Sequence, residues 1–296
     1  MIEPAAERPP YRSAAVAFAV VLAGYLYTLA PTVTFWDAGE LIASSKILGI
    51  PHPPGTPLFV LMAHVWALLF PVGEFAWRTN LMSAAFSAAG AGFWFLSSHE
   101  VINRAARELS DAARWWVSRG GAAAAALISG FGFTQWQNSN ETEVYSFATL
   151  TIAATVWLAL RWRAHRGTPR AGQMLLLAVY LGGLSIGSHL LALLVGPGLV
   201  LFLAAELRRH PAAEAAQRRE EWGQFAVVAG VWALLIGTGL GNTALITLGL
   251  LSFGTAAALA VRGGSGRFAL LAAVIAAIGV TSYLFLFIRA GQAPMI

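Results

Sequence analysis

The stretch Ala14-Ala-Val-Ala-Phe-Ala-Val-Val-Leu-Ala-Gly-Tyr-Leu-Tyr-Thr-Leu-Ala-Pro-Thr-Val33 contains no charged residue. A helix of about 20 mostly apolar residues is long enough to cross the hydrocarbon core of a bilayer. The run is longer than the core of a signal peptide, and no small-residue cleavage site follows it. We therefore expect it to form a first transmembrane helix that is not removed.

Apolar runs of this kind recur along the whole chain. Hydrophobic residues make up 57% of the sequence and charged residues only 11%, against about 25% charged residues in soluble domains. Mean hydropathy is +0.65. The sequence predicts an all-α integral membrane protein with about nine transmembrane helices, organised as a single transmembrane domain over 1–296. Besides 14–33, the predicted spans lie near 79–98, 120–138, 144–160, 172–188, 190–205, 224–240, 242–261 and 268–288.

Two other segments are expected to be helical without being clear spans. The apolar run 56–72 is shorter than the others and ends near Pro71, so it is either a tenth span or a helix at the membrane surface. Segment 99–119 mixes Arg and Glu with Trp115 and Trp116. That mixture predicts an amphipathic helix lying on the cytoplasmic surface of the membrane.

The basic residues predict the orientation, because Lys and Arg in short loops favour the cytoplasmic side. If 56–72 does not cross and the N-terminus is cytoplasmic, all but three of the 19 Lys and Arg residues are cytoplasmic. A ten-span topology satisfies the rule almost as well. We prefer nine spans, with a first external loop at about 34–78, in a bacterial inner membrane with an external, periplasmic site. Five acids then face one compartment: Asp37, Glu40, Glu74, Glu141 and Glu143.

Composition and motifs exclude several function classes. The sequence pI is near 10.1, but the basic residues lie in short clusters between apolar runs, which is a topology signal and not a nucleic-acid surface. The absence of cysteine excludes disulfides and thiolate metal sites. No Walker motif, dinucleotide fingerprint or HExxH sequence is present. Soluble nucleotide chemistry is therefore not expected, and any donor substrate is expected to be lipid-linked.

The most informative polar cluster is Thr34-Phe-Trp-Asp-Ala-Gly-Glu-Leu-Ile-Ala43, in which Asp37 and Glu40 are three residues apart. If a helix begins at Asp37, both carboxylates project from one face of its first turn. Two compatible interpretations follow. Asp37 can cap the helix with Glu40 as its capping-box partner, and the same two carboxylates can be the catalytic residues of an enzyme.

A rigid turn follows at Gly49-Ile-Pro-His-Pro-Pro-Gly-Thr-Pro57. Proline fixes φ and keeps the residue before it out of the helical region. His52 is therefore held at a defined angle at the membrane surface, where we expect it to contact substrate. The alternative is that the prolines merely begin the helix of 56–72.

The second polar cluster is Gln135-Trp-Gln-Asn-Ser-Asn-Glu-Thr-Glu-Val-Tyr145. We expect Glu141, Glu143 and Tyr145 to bind sugar or acceptor hydroxyls. At a spacing of two, the two glutamates cannot share one helix face, so at most one points into a common site unless the segment is extended. The alternative is a polar external turn, with Trp136 and Tyr145 in the aromatic belt of the membrane interface.

Three further ionisable residues are candidates for the site. His189 lies between the predicted spans 172–188 and 190–205. An ionisable group at membrane depth suggests function, although a structural histidine fits as well. Arg78 and Arg289 each flank an external span end. They either anchor the helix ends or bind a phosphate through the planar guanidinium group.

The sequence Phe35-Trp-Asp-Ala-Gly-Glu-Leu, followed by Gly49-Ile-Pro-His-Pro-Pro-Gly-Thr-Pro-Leu, resembles the start of a bacterial and eukaryotic family of multi-spanning membrane proteins. Its animal member is a protein O-mannosyltransferase. Glu141-Thr-Glu-Val-Tyr145, His189 and Ile288-Arg-Ala look like later parts of the same pattern. More distantly, the layout is similar to the GT-C glycosyltransferases. These carry an acidic residue in the first external loop and juxtamembrane helices after it.

The resemblance implies a membrane glycosyltransferase that moves a sugar, expected to be mannose, from polyprenyl phosphate to a hydroxyl with inversion. Asp37 maps onto the catalytic acid. The role of Glu40 does not transfer in the same way, because protein mannosyltransferases place two acids next to each other. His189 and Arg289, with Arg78 behind them, are the candidates for stabilising the leaving phosphate. No cofactor or metal is required, although a divalent cation between Asp37 and another external carboxylate stays open.

The expected partners are membrane lipid, the lipid-linked sugar donor and a protein or glycan acceptor, with protein Ser or Thr preferred. Family members often carry a soluble C-terminal region, so the chain is expected to be truncated before one. The alternative function is a transporter or flippase, because Gly182-Gly183 and Gly196-Pro-Gly198 can break helices along a transport path. The outer-surface position of the ionisable residues favours the enzyme.

Overall fold

The computed structural model describes residues 8–292, which fold into α-helices joined by short turns. The helices are α1 (Tyr11–Thr28), α2 (Ala38–Ile47), α3 (Pro57–Leu69), α4 (Phe75–Ala105), α5 (Asp111–Phe131), α6 (Phe133–Ser139), α7 (Val144–Ala164), α8 (Pro169–Ile186), α9 (Val195–Arg209), α10 (Ala215–Gly239), α11 (Thr243–Arg262), α12 (Gly266–Val280) and α13 (Leu284–Ala290). Two short 3-10 helices lie at Leu190–Leu194 and Thr281–Tyr283.

Seven helical stretches within 8–292 are long and apolar enough to cross a membrane, which confirms the prediction of an all-α integral membrane protein. They are Tyr11–Thr28, Phe75–Ala105, Val144–Ala164, Leu190–Arg209, Ala215–Gly239, Thr243–Arg262 and Gly266–Ala290. The predicted number of nine is not confirmed. The predicted span 172–188 falls on α8, which does not reach the same apolar content. The predicted span 120–138 crosses the break between α5 and α6 at Gly132.

The apolar run 56–72, predicted to be either a tenth span or a surface helix, forms helix α3. This helix contains 13 residues, and at about 1.5 Å per residue it is roughly 20 Å long. A hydrocarbon core is about 30 Å thick. The length of α3 therefore favours the interpretation of this run as a helix at the membrane surface, and Pro57 occupies its first turn as the sequence suggested.

The predicted amphipathic helix over 99–119 is wrong, because this segment belongs to two different helices. Helix α4 continues without interruption to Ala105. Helix α5 then begins at Asp111, where the Ser110 hydroxyl accepts a hydrogen bond from the Ala113 amide at 3.4 Å. The mixed polar and apolar residues are thus the end of one long helix and the capped start of the next.

The described residues pack as two compact units, one formed by 8–157 with 289–292 and the other by 158–288. The single GT-C-like domain stays a prediction. In the first unit, α1 packs on α4 through a cluster that contains Val21, Tyr25, Ala84, Ala88 and Ala91. A second cluster joins α2, α3, α4 and the first residue of α7, and contains Leu41, Phe59, Ala63, Met82 and Val144. The polar segments at the starts of α2, α3 and α7 are thereby brought to one end of α4.

The second unit is built on one apolar cluster of helices α8 to α12 and the end of α7. Small residues set the approach of α8 to α12. A Cβ atom placed on Gly279 would lie 2.5 Å from the carbonyl carbon of Gly183. Small residues at helix crossings are the usual means by which membrane helices approach closely, and here the neighbouring atoms are backbone atoms that no rotamer change can move aside.

Replacing Gly279 with Leu is expected to destabilise the second unit by about 1–3 kcal/mol or more, because overpacking forces backbone shifts. Gly254→Leu on α11 is the matched control, since a Cβ there meets no described atom within 4 Å. The thermal midpoint and the yield of monodisperse protein in detergent measure the effect. Equal stability of the two variants would contradict the close approach of α8 and α12.

Candidate active site

Asp37 directly precedes α2, and its carboxylate makes no hydrogen bond to the start of the helix. Its backbone oxygen accepts a hydrogen bond from the Leu41 amide at 2.9 Å, whereas its side chain makes no capping hydrogen bond. The capping-box interpretation is therefore wrong. The preceding residue, Trp36, has φ +64° and is 88% exposed. This left-handed conformation is uncommon for an aromatic residue, and it turns the chain into α2 directly before Asp37.

Glu40 binds His52 at two points instead of capping α2. One oxygen of its carboxylate accepts the His52 backbone N–H at 2.6 Å, and the other meets the ring Nδ1 at 2.7 Å. The hydrogen bond that Glu40 accepts raises the pKa of the His52 imidazole; burial lowers it by less, and the charges of Glu40, Asp37 and Glu143 raise it further. His52 thus lies in a strongly acidic environment that raises the pKa of its imidazole.

Asp37, Glu40 and His52 form a compact triad of polar groups. One ligand atom from each lies within 4.8 Å of the other two. Such a spacing allows the three groups to act on one bound atom, either a hydroxyl proton or a cation. Two carboxylate oxygens and an imidazole nitrogen are donors that several divalent ions accept, so a metal remains compatible with this triad.

Glu143 is distant from the triad in the sequence but lies near it in the fold. Its side chain lies at the start of α7 and the residue is only 6% exposed. The pKa of the Glu143 carboxyl is raised to about 7, chiefly by burial and then by the charges of Glu141 and Asp37, against smaller lowering effects of the Val144 amide and His52. A carboxyl group whose pKa is raised this far by burial and by neighbouring charges is a common feature of catalytic sites.

Polar side chains of α4 hold the two acidic segments together. The Thr142 hydroxyl lies 2.7 Å from the Thr79 hydroxyl and donates to the Asn80 side-chain oxygen at 2.6 Å. The Asn80 amide group donates to the carbonyl oxygens of Ala30 and Thr32 at 2.9 and 3.1 Å. One buried asparagine therefore ties the chain that leads to Asp37 to the turn that carries Glu143.

Ser83 completes this support, since its hydroxyl accepts the backbone N–H of Glu143 at 3.1 Å. The site residues predicted from the sequence do not include Asn80, Ser83 or Thr142. A signal was nevertheless present, because Thr79, Asn80 and Ser83 interrupt an apolar run at spacings of three and four. Polar residues at that spacing lie on one helix face, and inside a membrane helix they need partners.

Replacing Thr142 with Val is expected to reduce stability by about 1–3 kcal/mol, because the buried Asn80 oxygen loses its hydrogen bond without gaining water. The matched control is Thr247→Val on α11, an exposed threonine whose hydroxyl bonds only the Thr243 carbonyl at 2.9 Å. Thermal unfolding of both variants in the same detergent measures the difference. A Thr142 variant as stable as the control would show that this buried network is not formed.

Arg78 and Arg289 both bind backbone carbonyl oxygens. Arg289 donates from Nε to Leu48 at 2.7 Å and from Nη2 to Ile47 at 3.1 Å, so its positive charge lies at the carbonyl end of α2, where the helix dipole favours it. Arg78 donates to the carbonyl oxygens of Ala67, Val72 and Gly73. The two arginines thus hold the C-terminal ends of α2 and α3, and their phosphate-binding role stays a prediction.

The remaining predicted residues lie near the acidic groups or in the other unit. Glu141 and Tyr145 are half-buried and flank Glu143. His189 belongs to the second unit, where it precedes the 3-10 helix Leu190–Leu194 and its Nδ1 accepts the Leu191 amide at 3.1 Å. Its participation in the site stays a prediction. The structure thus brings together Asp37, Glu40, His52, Glu141 and Glu143 in one unit.

Comparison with known proteins identifies relatives over the same part of the chain. Residues 37–213 match the family described as the protein O-mannosyl-transferase TMEM260 N-terminal domain. The protein O-mannosyl-transferase TMEM260 of Mus musculus is 31% identical over 188 residues, which are 62% of this chain and 25% of that protein. The protein O-mannosyl-transferase tmem260 of Dictyostelium discoideum is 26% identical over 142 residues, 46% of this chain and 15% of that protein.

The matched region therefore spans a quarter or less of the length of these curated relatives. No solved structure matches the chain. The family match begins at Asp37 and includes all the residues that the structure brings together around it.

Proposed function

The chain belongs to the protein O-mannosyl-transferase TMEM260 N-terminal domain family, and from this premise we propose that it is a membrane O-mannosyltransferase. The donor is a polyprenyl-phosphate mannose, and the acceptor is a hydroxyl group, preferentially of a protein Ser or Thr. The names of the relatives support the mannosyl transfer. The helices long and apolar enough to cross a membrane support a donor that is delivered from the bilayer.

One observation carries the proposal: an exposed carboxylate, Asp37, stands free of its helix within 4.8 Å of Glu40 and His52. A hydroxyl nucleophile needs a base within hydrogen-bond reach in the transition state. Among these groups Glu40 is committed to His52 through two contacts. Asp37 is therefore the carboxylate available to receive a proton, which agrees with its place in the family's first motif.

The reaction is a single displacement at the anomeric carbon. The acceptor oxygen attacks that carbon from the face opposite the phosphate while Asp37 removes the hydroxyl proton. The bond between the anomeric carbon and the phosphate oxygen breaks, and the electron pair leaves with the phosphate. The products are an inverted mannoside, a polyprenyl phosphate and protonated Asp37. Glu141 and Tyr145 border the same cluster and bind hydroxyl groups of the sugar or the acceptor.

The site faces the external side of the membrane in this proposal. Support comes from the basic residues: a nine-span topology with a cytoplasmic N-terminus leaves only Lys46, Arg78 and Arg289 outside. Arg78 and Arg289 lie in the same unit as Asp37. Transfer on this side requires a lipid-linked donor, because nucleotide sugars are made in the cytoplasm.

Sugar transfer by the full-length protein in liposomes tests the proposal. Polyprenyl-phosphate mannose, polyprenyl-phosphate glucose and GDP-mannose are offered in parallel with a Ser- and Thr-rich acceptor peptide. We expect transfer from the lipid-linked mannose alone, with the anomeric configuration inverted in the product. Transfer from GDP-mannose, or movement of the lipid donor across the bilayer without transfer, would overturn the proposal.

A further inference from the structure

The phosphate group of the donor needs a positively charged side chain to bind it, yet the site contains four carboxylates. Arg78 and Arg289 already donate to backbone carbonyl oxygens. Lys46 lies in the last turn of α2, six residues beyond Glu40 and therefore about 9 Å further along the helix. Among the described residues that bear on the triad, this leaves His52 as the basic group that adjoins Asp37.

We propose that His52 binds and neutralises the phosphate of the donor, and that Glu40 is the positioning residue that aims its ring. This inference rests on the proposed function, since it assigns a group for the leaving phosphate of that reaction. It also changes the role of Glu40, which then acts through His52 and does not contact the reacting atoms.

The geometry of the pair supports this division of roles. Glu40 contacts both the backbone N–H and the ring Nδ1 of His52, at 2.6 and 2.7 Å, so it fixes the main chain and the ring orientation together. An ionised carboxylate only accepts hydrogen bonds, so Nδ1 carries a hydrogen. The other ring nitrogen, Nε2, is then left for a ligand, and the His52 side chain is 48% exposed.

The chemistry of the leaving group requires a donor of this kind. A polyprenyl-phosphate sugar is a phosphodiester with one negative charge, and cleavage of the sugar–oxygen bond leaves a phosphate monoester with a second. Hydrogen-bond donors aimed at the oxygen where this charge develops are among the largest contributors to catalysis. A protonated imidazole supplies both the N–H group and the compensating charge.

The groups around His52 shift the pKa of its imidazole upward. Glu40 raises the pKa of His52 through its hydrogen bond and its charge, Asp37 and Glu143 raise it through their charges, and burial opposes them. The turn itself is held by a hydrogen bond from the Gly55 amide to the His52 carbonyl oxygen at 2.9 Å. The two contacts with Glu40 and this turn thus hold the His52 ring at a fixed place beside the proposed base.

Kinetics of mannosyl transfer by the full-length protein test the proposal, with His52→Gln and Glu40→Gln compared with wild type. We expect His52→Gln to lower kcat/KM for the lipid donor by about 10²-fold, the usual loss for one such donor, with the KM for the acceptor peptide unchanged. His64→Gln is the matched control, because this histidine of α3 binds the Ser45 carbonyl at 2.8 Å and lies outside the triad. We expect it to keep wild-type kinetics.

The variant Glu40→Gln tests whether Glu40 positions the His52 ring or has only a structural role. Without the carboxylate, His52 loses its proton at a lower pH, so the ratio of wild-type to variant activity should increase with pH between about 6 and 8. The same ratio for His52→Gln should be flatter across this range. A constant ratio for Glu40→Gln would overturn the positioning role.

Three results would overturn the proposal while leaving the mannosyltransferase intact. These are wild-type transfer by His52→Gln, a loss confined to the KM for the acceptor, and a chelator-sensitive activity that Mn²⁺ or Zn²⁺ restores in wild type but not in His52→Gln. The last result would make the triad a metal site. Absence of transfer by the wild-type protein with every donor would instead overturn the proposed function on which this inference rests.

Discussion

Replacing Asp37 with Asn is expected to reduce the turnover of sugar transfer by about 10²-fold or more, which is the contribution of a positioned general base. Asparagine has the same size as aspartate but cannot accept the hydroxyl proton. Stability should change little, because the Asp37 side chain makes no capping hydrogen bond to α2. Single-turnover transfer from the lipid donor measures the first effect, and thermal unfolding followed by circular dichroism measures the second.

Asp111→Asn is the matched control for this variant. Like Asp37, Asp111 is an exposed aspartate at the start of a helix, here in the first turn of α5. We expect the Asp111 variant to transfer sugar at the wild-type rate. Undiminished transfer by the Asp37 variant would exclude Asp37 as the base and leave the family assignment unchanged.

Replacing Glu143 with Gln is expected to stabilise the protein above pH 7. The pKa of Glu143 is raised from 4.5 to about 7 in the folded protein, mainly by burial. The folded state therefore retains a proton that the unfolded state releases, and stability is lost as the pH rises from about 4.5 through 7. At 1.36 kcal/mol per pKa unit the full effect is of the order of 3 kcal/mol. Glutamine stays neutral and avoids this loss.

Thermal unfolding in detergent at pH 5 and pH 8 measures this effect. The Glu143 variant should exceed wild type in stability by more at pH 8 than at pH 5. Glu74→Gln is the control, because Glu74 is exposed at the start of α4 and makes no capping hydrogen bond, so its replacement should shift stability equally at both pH values. An equally pH-independent effect at Glu143 would show that this carboxyl is solvated.

The membrane helices could be predicted because each depends mainly on local composition. Runs of about 20 apolar residues form helices whatever their neighbours, since lipid leaves the backbone no other partner. The errors occurred where the chain is less apolar. The run 120–138 looked continuous, yet Gly132 separates α5 from α6. The mixed segment 99–119 looked like one amphipathic helix, but Ser110 caps a new helix in its middle.

The acidic site could be predicted only in part, because its assembly depends on contacts that no local pattern contains. The proximity of Asp37 and Glu40 follows from helical spacing. The capping interpretation failed because Glu40 meets His52, 12 positions along the chain, through a turn whose path the sequence does not specify. The link to Glu143 runs through Asn80 and Thr142, and such a buried network is visible only once α4 and the α6–α7 turn are packed together.

The roles of Arg78 and Arg289 also depend on contacts that the sequence does not contain. Their position at span ends is compatible both with anchoring of the helix ends and with phosphate binding, and the sequence does not distinguish these two roles. The choice depends on which carbonyl oxygens the folded loops direct toward each guanidinium. Arg289 meets the end of α2, far away in the sequence, and a contact of that kind cannot be inferred from the residues that surround Arg289.

The account of one acidic site, assembled from the starts of α2 and α7, depends on Asp37 and Glu143 lying close together. The most direct test is the pH titration of the Glu143 carboxyl by ¹³C NMR, assigned with Glu143→Gln, in wild type and in Asp37→Asn. We expect a midpoint near pH 7 in wild type, and a lower midpoint in the variant because one neighbouring negative charge is gone. An ordinary midpoint near 4.5 in both proteins would place Glu143 in solvent away from Asp37 and would contradict the single site.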